Sequence, residues 1–235
     1  MMESLKEIRV RLDQLTELTV SALKDRSRLS LNEPIYLKDA IAIEGKRGIS
    51  LLDLSILSLE SSQAIGGRFE YKDQHPLTEK ELLPKSLVKR VVPKTDVLEM
   101  RIPIKEELVG FYRSVLPEIC MAGDDPTTYW QAALKDTEIL GLMNERVTGI
   151  SLFVAQAKYR SNPEIYSGQI DVERLKETLR DSGRENAVVE KAVQIAARYE
   201  LPQNPIEQIF RWLIEKTVDS EVIYLQALGA KNKSE

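Results

Sequence analysis

Apolar residues recur every three or four positions in several stretches of the chain, which is the spacing of amphipathic helices. The first stretch runs from Leu5 through Ile8 and Leu12, and it predicts a helix over about residues 3–29. The same spacing predicts six more helices, over about residues 50–69, 105–119, 127–160, 171–181, 185–199 and 205–228. The pattern therefore indicates a protein that is helical along most of its length.

Helix-breaking residues separate these patterns. Ser50 is a suitable cap for the second helix, and four prolines interrupt residues 72–104. The best strand-like fragment, Val91-Val92, is too short to build a sheet, and no hairpin signal accompanies it. No linker or low-complexity stretch divides the chain. We therefore predict an all-α fold, a single-domain helical bundle with several long helices, over residues 1–235.

Charge and hydropathy narrow the possible partners and location. The chain carries 33 basic and 37 acidic residues, a net charge of -4, so it lacks the basic excess of nucleic-acid or anionic-membrane binders. No apolar run approaches the length of a transmembrane helix, and the N-terminus has no signal-peptide core. We expect a cytoplasmic protein that binds neither nucleic acid nor membrane.

Two scarce residue types limit the chemistry. The chain has one cysteine, Cys120, so an intrachain disulfide and a CxxC motif are excluded. It has one histidine, His75, so a zinc site with several histidines is excluded. A Ser-His-Asp or Cys-His enzyme would have to use His75, which lies in a loop-like segment before Pro76. If the protein is an enzyme, we expect chemistry without metal ions or covalent nucleophiles.

Several polar residues lie where they could converge inside a bundle. Arg9 flanks the apolar seam of the first helix, and Lys158 lies in an otherwise apolar stretch. Two further pairs lie four residues apart and so share a helix face: Asn186 with Glu190, and Thr217 with Glu221. Each of these residues alone is typical of a solvated or structural position. The functional hypothesis is that they meet in one cavity.

Four stretches of the chain carry these residues in a fixed order. They are Ile8-Arg9 with Arg26 seventeen residues later, DTEILGLMNERVTGISLFVAQAKY at 136–159, NAVVEKAV at 186–193, and EKTVDSEVIYL at 215–225. The set resembles chorismate mutase of the all-helical type, in its longer fungal and plant-like form. A looser match, residues 50–69, resembles the second long helix of that family.

The resemblance implies an isomerase that converts chorismate to prephenate, in phenylalanine and tyrosine biosynthesis. It also implies a homodimer that needs no cofactor or metal. Such an enzyme holds a dianion in a compact shape and stabilises charge on the breaking ether oxygen. The resemblance implies that Arg9 and Arg146 bind the two carboxylates, with help from Thr217 and Asn186. It implies that Lys158 and a protonated Glu221 donate hydrogen bonds to the ether oxygen. Glu190 would accept a hydrogen bond from the substrate hydroxyl.

One departure from the family pattern concerns geometry. Arg146 and Lys158 are twelve residues apart, whereas the family pattern has them eleven apart. At about 100° per residue, eleven steps leave the two side chains about 20° apart, and twelve leave about 120°. We therefore predict a one-residue bulge near Thr148–Ser151, where Gly149 eases it. In a regular helix Arg26 would be the fallback, although we interpret Arg26 as mainly structural.

A second departure concerns regulation. Fungal relatives respond to Trp and Tyr through an Arg-Arg pair after the second helix and a G-S-x-x-T segment before the long helix. This chain has Gly67-Arg68 at the first place and residues 130–134, WQAAL, at the second. We therefore expect Trp and Tyr effector binding to be weak or absent. Two alternative functions stay open: an isochorismate pyruvate lyase on the same fold, and a non-catalytic helical regulatory or interaction protein.

Overall fold

The computed structural model describes residues 5–166 and 171–232, and its regular structure is helical. The helices are α1 (Leu5–Arg26), α2 (Leu51–Ile65), α3 (Lys105–Val115), α4 (Tyr129–Asn144), α5 (Ser151–Ser161), α6 (Pro163–Tyr166), α7 (Val172–Leu179), α8 (Ser182–Arg198) and α9 (Gln203–Asn232). Within the described residues, the one β-type contact is an isolated bridge between Ser30 and Met121. The predicted all-α fold is confirmed.

The long helices pack side by side around a shared interior. Helix α1 packs against α4 and α8, and α9 packs against α8 and α5, while α2 covers α4. Leu23, Leu140, Met143 and Phe210 are fully buried between them. The apolar spacing that predicts each helix therefore also supplies its buried face. This arrangement places one side of α1, α5, α8 and α9 around a common space.

Helix α2 begins as its sequence predicts. The Ser50 hydroxyl accepts from the Asp53 amide at 3.0 Å, and the Asp53 carboxylate accepts from the Ser50 amide at 3.2 Å. This reciprocal capping satisfies two amides that the first helical turn leaves without partners. The helix ends at Ile65, before the predicted residue 69, because Gly67 turns into the left-handed region at φ 78°.

The long helix predicted over 127–160 contains an irregular turn. Between α4 and α5 the backbone forms a π-helical turn over Glu145–Ile150. The predicted bulge is therefore confirmed, although it begins earlier than Thr148 and includes Arg146 itself. Two hydroxyls bond back to carbonyls at the turn: Thr148 donates to the Asn144 carbonyl at 3.0 Å and Ser151 to the Val147 carbonyl at 2.5 Å. The extra residue is thus absorbed without ending the helix.

Arg26 lies fully buried at the end of α1, away from the common space. Its Nε donates to the Asp136 carboxylate at 2.7 Å, and its other nitrogens donate to main-chain carbonyls at residues 29–31. Asp136 also accepts from the hydroxyls of Tyr36 and Tyr112, both at 2.6 Å. The carbonyl of Arg26 lies 3.8 Å from the buried thiol of Cys120. The interpretation of Arg26 as structural is confirmed.

Candidate functional site

A cavity of about 180 Å³ lies inside the bundle, between α1, α5, α8 and α9. Apolar side chains form much of its wall, including Ile8, Leu12, Val154 and Val218. Five of the residues predicted for the site line it together: Arg9, Arg146, Lys158, Thr217 and Glu221. The structure thus brings these five residues, from separate helical segments, to one cavity.

Arg146 is the buried cation of this cavity. It is 5% exposed, and its side chain makes two long hydrogen bonds, from Nη1 to the Leu12 carbonyl and the Thr16 hydroxyl, both at 3.4 Å. Its Nε is buried with no hydrogen-bond partner, and no carboxylate of the described residues lies within ion-pair distance, although the charge of Asp13 acts on the guanidinium from farther away. Burial lowers the pKa of Arg146 to about 10, so the guanidinium stays protonated near neutral pH. The cavity therefore offers unused cationic donors to an anion.

Lys158 and Glu221 form an ion pair at the cavity wall. The Lys158 Nζ lies 2.7 Å from a Glu221 oxygen and also donates to the Leu179 carbonyl at 3.0 Å. Burial raises the pKa of Glu221, whose residue is 3% exposed; Lys158 opposes the shift, and the net direction is upward. Glu185 nearby adds to the rise in the pKa of Glu221. Glu221 is therefore closer to its neutral, donor form than an exposed glutamate is.

Arg9 and Thr217 complete the predicted set on the cavity wall. Arg9 is exposed, so its guanidinium is open to solvent beside the cavity. The Thr217 hydroxyl donates to the Leu213 carbonyl at 2.7 Å, one helical turn earlier. Thr217 would have to turn this proton toward a bound carboxylate in order to donate to it. The two residues thus differ: Arg9 is a ready cation, and Thr217 is a hydroxyl engaged with its own helix.

The register predicted for α8, meaning which of its residues face the cavity, is wrong. Asn186 and Glu190 are exposed and do not line the cavity. The α8 residues that line it include the neighbours Arg184 and Glu185, and Val188, which lies four and three positions after them. At about 100° per residue, Asn186 is turned about 100° away from Glu185, and Glu190 about 140°.

Glu185 is the residue that sequence reasoning missed. Asp181 and Glu185 have the same four-residue spacing as Asn186 and Glu190, and both line the cavity. That spacing was the available signal, but the sequence alone gave no reason to prefer one pair over the other. Arg184 adds a further cation at the same end of α8, although its Nε lies 3.7 Å from the Asp181 carboxylate.

The two stretches expected to bear on regulation lie away from the cavity. Arg68 pairs with Glu145, at 2.8 Å, and its Nε donates to the Gln74 side chain at 2.7 Å. Trp130 is 41% exposed and Leu134 is 37% exposed on the surface of α4. Trp130 therefore fills no buried pocket of its own chain.

The fold and the cavity together define an all-helical protein with a cationic site inside its bundle. Residues 131–222, from α4 to α9, match the family model of chorismate mutase type II. Over this range the chain is similar to the all-helical chorismate mutases of plants and fungi.

Individual relatives show how far the similarity extends along the chain. The chain is 30% identical over 156 residues to chorismate mutase 1, chloroplastic, of Petunia hybrida, covering 64% of this chain and 46% of that protein. It is 29% identical over 204 residues to chorismate mutase 3, chloroplastic, of Arabidopsis thaliana, covering 83% and 62%. This chain thus spans 46% and 62% of the length of these two relatives.

Solved structures show the same fold. The Aro7p chorismate mutase of Candida albicans, in complex with L-Trp, has a TM-score of 0.84 at 24% identity, over 94% of this chain and 90% of that one. The structure of AtCM1 with tyrosine bound in its allosteric site has a TM-score of 0.83 at 23% identity, over 94% and 95%. Among the described residues of this chain, no helix has both the length and the apolar character needed to cross a membrane.

Proposed function

We propose that this chain is an isomerase that converts chorismate to prephenate in the cavity between α1, α5, α8 and α9. The observation that carries the proposal is Arg146, a buried guanidinium that lines the cavity and whose Nε has no hydrogen-bond partner. A buried cation without a counter-ion is costly, and a bound carboxylate would remove that cost. Chorismate carries two carboxylates, which suit guanidinium groups because the planar fork matches a carboxylate.

The arginines would bind and orient the substrate. Arg146 would take one carboxylate deep in the cavity, and Arg9 would take the other where the cavity meets solvent. Holding both ends keeps the dianion in the compact shape that the rearrangement needs, and this lowers the entropy lost on reaching the transition state. The apolar side chains of Ile8, Val154 and Val218 would enclose the reacting carbons.

Lys158 and Glu221 would stabilise the breaking ether bond. Lys158 has three N–H donors, and two of them serve Glu221 and the Leu179 carbonyl. The third is free for the ether oxygen, where negative charge develops. Glu221 can donate to the same oxygen only when it is protonated, and burial raises its pKa in that direction. Fixed donors aimed at the developing charge are the main catalytic contribution in this scheme.

Glu185 would accept a hydrogen bond from the substrate hydroxyl. The resemblance assigned this role to Glu190, but Glu185 is the α8 glutamate that lines the cavity. Its charge acts on Glu221, so the two carboxyls lie close enough to influence each other across the cavity. The same substrate could therefore span from the ether-oxygen donors to Glu185.

A direct assay tests the proposal. Purified protein is mixed with chorismate, and the loss of chorismate absorbance is followed, with acid conversion of the product to phenylpyruvate as proof of prephenate. We expect turnover by the parent protein and a loss of about a hundredfold or more in kcat for Lys158→Ala. Pyruvate release from isochorismate would instead identify a lyase. Absence of turnover with both substrates would point to the non-catalytic alternative.

Control by aromatic amino acids is decided by a second assay. Structural relatives hold L-Trp and, in an allosteric site, tyrosine, and these findings argue against the expectation that effectors bind weakly or not at all. In this chain, Arg68 is engaged with Glu145, and Trp130 stands where the family pattern has glycine. Activity is measured with and without each amino acid, and a several-fold response would show the sequence-based expectation to be wrong.

Oligomeric state and location complete the proposal. The homodimer rests on the resemblance, and light scattering of the purified chain tests it directly. Cytoplasmic location likewise rests on sequence reasoning, while relatives in Petunia and Arabidopsis are described as chloroplastic. Imaging of a tagged full-length protein in its own cells distinguishes the two locations.

A further inference from the structure

The loop of residues 68–75 lies directly on the π-helical turn that carries Arg146. The Asn144 side-chain amide donates to the His75 carbonyl at 2.7 Å, just before the turn. Glu145, the first residue of the turn, accepts from Arg68 at 2.8 Å. These contacts fix one end of the turn to the loop.

Gly149 fixes the other end by direct backbone contact. A Cβ atom at this position would lie 2.1 Å from the Asp73 carbonyl oxygen and 3.0 Å from the Asp73 carbonyl carbon. Real side chains do not approach backbone this closely, so alanine would force the loop and the turn apart. Gly149 is therefore the residue that lets the 68–75 loop touch the turn.

Helix α1 also contacts the loop. Arg11 contacts the Asp73 carboxylate and lies 3.8 Å from Glu145. The Asp73 and Glu145 side chains are each 15% exposed, so these pairs are partly shielded from solvent. Two arginines and two carboxylates thus join α1, the loop and the start of the turn, with no net charge left over.

The position of the turn gives these contacts a functional meaning. Arg146 and Lys158 are twelve residues apart, and in an unbroken α-helix their side chains would be about 120° apart. The loop contacts Asn144, Glu145 and Gly149, which bracket Arg146 along the chain. We propose that the 68–75 loop is a positioning element that holds the π-helical turn and so directs Arg146 into the cavity. The kinetic part of this inference rests on the proposed function.

The first test replaces Gly149 by alanine and uses Gly141→Ala as the matched control. Gly141 lies in α4, in the same helical run, and a Cβ there would meet nothing within 4 Å. Because small misplacements of a binding group are costly, we expect Gly149→Ala to lower kcat/KM by about tenfold or more, chiefly by raising KM. Gly141→Ala is expected to stay within about twofold of the parent.

The second test weakens an ion pair instead of the backbone contact, in case Gly149→Ala does not fold. Arg68→Gln removes the contact to Glu145, and Arg113→Gln removes a comparable surface pair with Glu33, at 3.2 Å. The two arginine side chains are 39% and 37% exposed, so the substitutions are closely matched. We expect a several-fold rise in KM for Arg68→Gln and none for Arg113→Gln. Equal KM values for these two variants would contradict the inference that the 68–75 loop positions Arg146.

A double-variant measurement shows whether the loop acts through Arg146. In an Arg146→Ala background, Gly149→Ala and Arg68→Gln should produce no further loss of kcat/KM, because their target is already gone. A further tenfold loss in that background would overturn the inference. If Arg146→Ala itself leaves kcat/KM unchanged, the proposed role of Arg146 fails.

Hydrogen–deuterium exchange tests the loop without relying on activity. Amides of residues 145–151 should exchange faster in Gly149→Ala than in the parent and in Gly141→Ala, because the turn has lost its contact. Unchanged exchange in those amides would overturn the inference that the loop holds the turn, whatever the kinetics show. Failure of the loop inference, seen in the exchange rates, is therefore distinguishable from failure of the proposed function, seen in the assay.

Discussion

Arg146 and Lys158 line the same cavity although twelve residues separate them along one helical run. The π-helical turn Glu145–Ile150 makes this possible. It accommodates one extra residue in the helix, which offsets the difference between a spacing of twelve and the spacing of eleven that puts both side chains on one face. The turn also begins at Glu145, so Arg146 lies within it and not before it. The direction of this arginine is therefore a property of the irregular turn and its neighbours, and several predictions depend on it.

Replacing Arg26 with methionine should strongly destabilise the fold. The change leaves the Asp136 carboxylate buried with two tyrosine hydroxyls but without its cation. Removing one partner of a buried ion pair costs about 3–5 kcal/mol. Thermal unfolding followed by circular dichroism should show a melting temperature lower by about 5 °C or more. An unchanged melting temperature would mean that this network contributes little to the fold.

Replacing Arg146 with methionine should have the opposite effect on stability. Arg146 is buried like Arg26, but its Nε is unpartnered and no carboxylate of the described residues lies within ion-pair distance of it. An apolar side chain of similar length removes a buried charge, so we expect stability to rise by about 1 kcal/mol or more. The same melting experiment checks this, and a chorismate assay should show activity falling about a hundredfold or more. A stabilised, inactive variant would show that Arg146 is retained for binding; a destabilised one would contradict that view.

Activity should fall as pH rises through the pKa of Glu221. Burial raises this pKa, and below it the neutral carboxyl can donate to the ether oxygen, whereas above it the carboxylate can only accept. Glutamine is a donor at every pH, so Glu221→Gln should flatten the alkaline fall in kcat. The matched control is Glu190→Gln, which alters an exposed glutamate on α8 and should retain the fall. Identical profiles for the parent and Glu221→Gln would refute the role of the protonated carboxyl.

The register of α8 can be tested with two glutamates on one helix. Glu185 lines the cavity, whereas Glu190 is exposed and turned away from it. We expect Glu185→Ala to lower kcat/KM by about tenfold or more, since it loses a hydrogen bond to the substrate hydroxyl. Glu190→Ala should remain within about twofold. The reverse ranking in a chorismate assay would restore the register inferred from sequence.

The sequence predicted the helices well because their apolar spacing is also their packing face. Five of the residues it indicated line the cavity: Arg9, Arg146, Lys158, Thr217 and Glu221. On α8 it failed, because Asp181 with Glu185 and Asn186 with Glu190 have identical spacing. Only the packing of α8 against its neighbours decides which of the two faces the interior.

Other features could not be predicted, because they depend on segments far apart in the chain. The contact between Gly149 and the Asp73 carbonyl joins a helix to a loop that has no apolar pattern of its own. The sequence indicated that Gly149 eases a bulge, but it carried no sign of what lies against that glycine. The partners of Arg26 are similarly distant, since Asp136 lies 110 residues away.

The single cysteine, Cys120, can serve as a natural probe of how often the interior of this protein opens. Cys120 is buried against the Arg26 carbonyl, and burial raises the pKa of its thiol to about 11. The thiolate is the reactive form, so a thiol reagent at neutral pH should modify Cys120 slowly until the structure around it opens. The labelling rate of the native sequence therefore measures how often the bundle opens at that point, without any introduced probe.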